Sequence, residues 1–145
     1  MSNALANPLL QPVVALLIWS LVMWLWMLLT RIPAMMAMKI VLDPNVPPKE
    51  LTLSLPARVR WKADNYNHLM EAPTLFYAAA LVVAFAAPTN GVAISAAWAY
   101  VLLRVLHSLV QGLVNHIPSR LFLFVLSTLA LATLVWQAAR AVFSA

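Results

Sequence analysis

The stretch "DNYNHLMEAPTLFY", residues 64–77, sets Asp64, Asn65, Asn67, His68 and Glu71 at the mouth of a long apolar run. At about 100° per residue, Asp64, Asn65, His68 and Glu71 fall within an arc of about 120° and form one polar face of a helix. A second run, "AWAYVLLRVLHSLVQGLVN", residues 97–115, brings Tyr100, Arg104, His107, Ser108, Gln111 and Asn115 into a stripe about 100° wide. A carboxylate, a guanidinium, imidazoles and amides on two facing stripes can pair charges and hold a polar ligand. Glu71 and Arg104 both lie about 10 Å inside the boundary of their apolar segments, taking about 1.5 Å per residue. A lone charge at that depth costs at least about 2.5–3.5 kcal/mol. Glu71 and Arg104 are therefore expected to pair, with His107 and Asn65 completing the hydrogen bonds.

An ion pair can serve only to hold helices in register. Here many more polar groups converge, rimmed by Arg58, Arg60, Lys62 and Arg120. A basic, hydrogen-bonding pocket of this kind suits an anionic small molecule, or the head of an amphiphile whose tail lies in lipid. His107 and His116 are spaced i, i+9, and no His/Glu set resembles a metal site, so no metal is expected. Ser108 beside His107 is no nucleophile pair, because adjacent helical residues do not face each other.

The elements that position these groups follow from composition. Of the 145 residues, 64% are hydrophobic and 9% charged, against about 45–50% and about 25% in a soluble domain. This is the composition of an integral membrane protein. There is no cysteine, which excludes disulfides and thiolate metal sites. The net charge of +5 arises from basic residues beside apolar segments rather than from a nucleic-acid-binding stripe, so no nucleic-acid partner is expected. A span needs about 20 mostly apolar residues, and four segments qualify, about 8–30, 65–87, 92–114 and 118–143. No basic region precedes the first, so it is expected to remain as a span, and its helix can continue past Pro33 into "AMMAMKIV". The chain reads as a single four-span domain, 1–145, whose long first loop carries several prolines. Arg31, Lys39, Lys49, Arg58, Arg60, Lys62 and Arg120 flank the first and third loops, and Arg140 alone lies at the other side. By the positive-inside bias those loops are expected to be cytoplasmic and both termini to face the periplasm or lumen.

"NYNHLMEAPTLFYAAALVV" and "AWAYVLLRVLHSLVQGLVNHIPSRLFLF" together resemble the second-helix signature, third-helix Arg and fourth-helix start of the MAPEG family, membrane-associated proteins in eicosanoid and glutathione metabolism, in its bacterial form. The resemblance spans about residues 58–137. It implies an all-α, antiparallel four-helix membrane bundle assembled as a homotrimer, with sites at subunit interfaces opening to the cytoplasm. It also implies glutathione as co-substrate of a transferase or peroxidase acting on lipophilic electrophiles. Asn65, His68, Glu71, Arg104, His107 and Gln111 are then the glutathione-binding candidates and Arg120 the catalytic one. Arg104 and Arg120 would take carboxylates, and Glu71 the ammonium. Characterised relatives carry an Arg seven residues before the Glu and usually an Asn three before it, where this chain has Asp64 and His68. The third-helix tyrosines that flank glutathione in them correspond best to His107 and Gln111. The alternative is a non-catalytic protein that holds a lipid or another anionic amphiphile, or an accessory subunit of a larger membrane complex.

Overall fold

The computed structural model describes residues 7–71 and 73–144, and among them every regular element is helical. In chain order the helices are α1 (Leu10–Ala37), α2 (Pro48–Leu51), α3 (Ala57–Glu71), α4 (Pro73–Ala86), α5 (Gly91–Leu113) and α6 (Ile117–Phe143). Four stretches are long and apolar enough to cross a bilayer: α1, α3 together with α4, α5, and α6. α5, for example, has 23 residues, and about 20 suffice for a hydrocarbon core of about 30 Å. The second of these helical stretches starts at Ala57, ahead of the apolar run. Its first turns carry Arg58, Arg60 and Lys62, good helix formers that extend the helix beyond the apolar segment.

Local chemistry sets the ends. α1 runs through Pro33, and Lys39 beyond its end adopts a left-handed backbone with φ 51°. Asn90 caps α5, accepting from the Ala93 N–H at 3.1 Å, and its amide donates to Gln137 of α6 at 3.0 Å. Asn115, φ 56°, ends α5 in the left-handed region that asparagine tolerates. Pro118 then sits in the first turn of α6, where its missing N–H has no helical partner.

Between membrane helices tight packing replaces hydrophobic expulsion as the cohesive term, which favours small residues. Ala79, Ala80 and Ala84 of α4 and Ala93, Ala96 and Ala97 of α5 are buried accordingly. Phe76 of α4 stacks on Tyr100 of α5 with ring centroids 4.7 Å apart. The outer surface is apolar: Leu21, Phe85 and Leu129 are 65%, 88% and 60% exposed. At the end of the bundle that carries the first and third loops, a Cβ on Gly112 would lie 2.8 Å from the Trp26 ring, so glycine is what lets α5 approach α1 there. The Lys62 ammonium stands 5.0 Å from the centroid of the same ring and donates to the Arg58 and Gly112 carbonyls. α1, α3 and α5 are thus tied together beneath the site.

Candidate functional site

The site is built where α3, α5 and α6 meet at this basic end. The stripe on α5 faces inward: Tyr100, Arg104, His107, Ser108 and Gln111 are each 1–2% exposed. Asn65 of α3, 1% exposed, belongs to the same interior.

Arg104 does not pair with Glu71. Its Nη2 donates to the His68 carbonyl at 2.9 Å and to His68 Nδ1 at 3.2 Å. Glu71 lies exposed on the outer surface of the chain. The rotation of α3 explains the difference. Its buried residues, Asn65 and Leu69, define the inward direction. Measured from their mean, His68 lies about 80° away, Asp64 about 120° and Glu71 about 140°. His68 is accordingly half-buried, while Asp64 and Glu71 face out. The polar arc is real, but Leu69 at i+4 from Asn65 turns it so that only one edge is buried. Pro73 lies just beyond, and it has no N–H for the Leu69 carbonyl. In the same stretch of the helix, the His68 carbonyl takes a side-chain donor instead.

A guanidinium has no acceptor, so Nδ1 of His68 must present its lone pair to Arg104 and the ring proton resides on Nε2. The His68 ring stacks on His107 (centroids 4.9 Å, interplanar angle 22°) and meets Phe124 of α6 at 5.7 Å. Arg104 thus fixes the tautomer, and His107 and Phe124 fix the ring plane. Several buried polar atoms of this core have no partner among the described residues, including Arg104 Nε and Nη1, Tyr100 Oη, His107 Nδ1 and Gln111 Oε1. A buried cation with neutral neighbours and unmet donors is costly unless water or an anion completes its shell.

Arg120 is half-buried at the head of α6, and its Nη1 donates to Asn115 Oδ1 at 2.6 Å. Asn115 thus orients the guanidinium, a role that depends on the left-handed turn as well as on the residue type. The candidates therefore divide in two. Asn65, Arg104, His107 and Gln111 form an internal scaffold, whereas His68, Glu71 and Arg120 reach the surface of the chain. Sequence reasoning did not single out Phe124 or the anchoring role of Asn115. No periodicity marks the first, and the second needs the turn geometry.

The model of the MAPEG family matches residues 9–140 of the chain. No curated protein and no solved structure matches it.

Proposed function

Since the chain belongs to the MAPEG family, whose members are multi-pass membrane proteins generally associated with glutathione, we propose that it is a glutathione-dependent transferase or peroxidase acting on lipophilic electrophiles. The observation that carries this reading is Arg120, half-buried and held by Asn115 at 2.6 Å, at the end of the bundle where an oriented His68 and Glu71 also reach the surface of the chain. Glutathione has two carboxylates, one ammonium and a thiol. Arg120 faces the sulfur: a thiol with pKa of about 8.5 loses its proton to solvent more readily beside a guanidinium in a site of low dielectric, which raises the nucleophilic fraction at neutral pH. Glu71 takes the ammonium. The Nε2–H of His68 donates to a carboxylate, Arg104, His107 and Phe124 hold His68 in place, and Asn65 and Gln111 are buried in the same interior. The thiolate then attacks a co-substrate that enters laterally from lipid, forming a C–S bond as the leaving group departs.

The outward position of Glu71 supports a subunit interface. A carboxylate facing acyl chains would cost about 2.5–3.5 kcal/mol or more, so its surroundings must be water-accessible or lined by another chain. A homotrimer with the site at its interfaces meets that requirement. With the basic loops cytoplasmic, both termini periplasmic and the protein in a bacterial inner membrane, the site opens to the reducing cytoplasm where thiols persist. Calorimetry on the purified chain tests the reading: heat of binding saturates at millimolar glutathione, and Arg120→Ala lowers turnover of a chlorodinitrobenzene without unfolding the protein. No heat of binding at millimolar thiol would overturn it.

A further inference from the structure

The first loop folds back over the basic end, anchored by Leu55, which is 3% exposed. It encloses a second cleft of about 140 Å³, walled by Arg31 of α1, Lys49 and Leu53 of the loop, and Arg60 and Asp64 of α3. Three cations therefore face one carboxylate. Among the described residues no ion pair neutralises any of the three cations. Arg60 Nε is buried without a hydrogen-bond partner. The cleft has room for a group larger than one water molecule, and its charge calls for an anion.

One helical turn on from Arg31 and on the same face of α1, Met35 opens onto an apolar groove. Ile32, Met35, Met36, Ile40 and Leu42 line about 270 Å³, with Lys39 among them. Met36 and Leu42 are 73% and 70% exposed. A soluble anion has no use for such a groove, whereas an amphiphile fills both: a negative head among the cations and a chain along the methionines. Basic pockets between membrane helices at a membrane surface bind anionic head groups for the same reason.

We propose that the Arg31–Lys49–Arg60 cleft binds the phosphate of an anionic membrane phospholipid, with an acyl chain lying along the Ile32–Leu42 groove. This site uses none of His68, Glu71 or Arg120, so it stands or falls separately from the thiol site. It ties the long first loop to the membrane surface, and Asp64, the one carboxylate present, opposes a second negative charge.

The test uses the full chain, delipidated in neutral detergent and titrated with phosphatidylglycerol or phosphatidylcholine in mixed micelles, bound lipid being read by native mass spectrometry. Phosphatidylglycerol is retained over phosphatidylcholine. Lys49→Ala and Arg60→Gln each weaken its binding about fivefold, the effect of about one surface charge, and Asp64→Asn strengthens it. Lys49 is exposed on the loop, so its removal leaves the bundle intact even if Arg60→Gln does not fold. Equal retention of the two lipids, or full retention by Lys49→Ala, overturns the site. Displacement of phosphatidylglycerol by millimolar inorganic phosphate overturns the lipid assignment in favour of a soluble phosphate ligand.

Discussion

The contact between Arg104 and His68 can be weighed by a double-mutant cycle with His68→Ala and Arg104→Met. Arg104 Nη2 makes two bonds, at 3.2 Å to the His68 ring and at 2.9 Å to its carbonyl. His68→Ala removes the ring bond and the stack on His107, and keeps the carbonyl bond. Arg104→Met removes both bonds and keeps most of the apolar stem. Only the ring–guanidinium bond is lost in both single variants, so it alone enters the coupling energy. A hydrogen bond to a charged group is worth about 1.5–3 kcal/mol, while interhelical bonds inside membranes average about 0.6 and reach about 1.7 kcal/mol. The two ranges overlap near about 1.5 kcal/mol, which is the predicted coupling. Reversible unfolding in mixed micelles with dodecyl sulfate, followed by tryptophan fluorescence, measures it. A coupling under about 0.5 kcal/mol, the level at which separate sites simply add, would refute the assigned contact and the His68 tautomer that follows from it.

Other substitutions probe the supports of the site. Gly112→Ala places a Cβ 2.8 Å from the Trp26 ring and should cost about 1–3 kcal/mol through overpacking; Trp26→Leu in the same chain should recover most of that in the same unfolding assay. Asn115→Gly keeps the left-handed φ of 56° but frees Arg120, so calorimetry should show glutathione binding weakened about fivefold, the value of about one hydrogen bond, at nearly unchanged stability. Asn90→Ala removes the α5 cap and the bond to Gln137; a loss of about 1–2 kcal/mol is expected, with faster amide exchange in the first turn of α5.

The four spans were legible because a bilayer demands a length of apolar sequence that little else in the chain imitates. The inward stripe of α5 was legible too, since Tyr100, Arg104, His107, Ser108 and Gln111 keep helical phase over the whole segment and are buried together. The partner of Arg104 was not. Phase places Glu71 and His68 about 60° apart on α3, and choosing between them needs the rotation of the helix. That rotation is set by burial of Leu69 and by the packing of α3 against α1 and α5, neither of which periodicity contains. The cleft under the first loop was illegible for a similar reason: Arg31, Lys49 and Arg60 are far apart in sequence, and only the fold of the loop assembles them. Gly112 is a third case, because its value lies in a ring from another helix.

The central claim is that Arg120, oriented by Asn115, holds a bound thiol as thiolate. Ultraviolet difference absorption during titration of the purified chain with glutathione at neutral pH reads the thiolate directly. A thiolate signal that saturates with binding, and is lost in Arg120→Met while the fold is retained, is the expected result. A bound thiol with no such signal, or the same signal without the guanidinium, would contradict it.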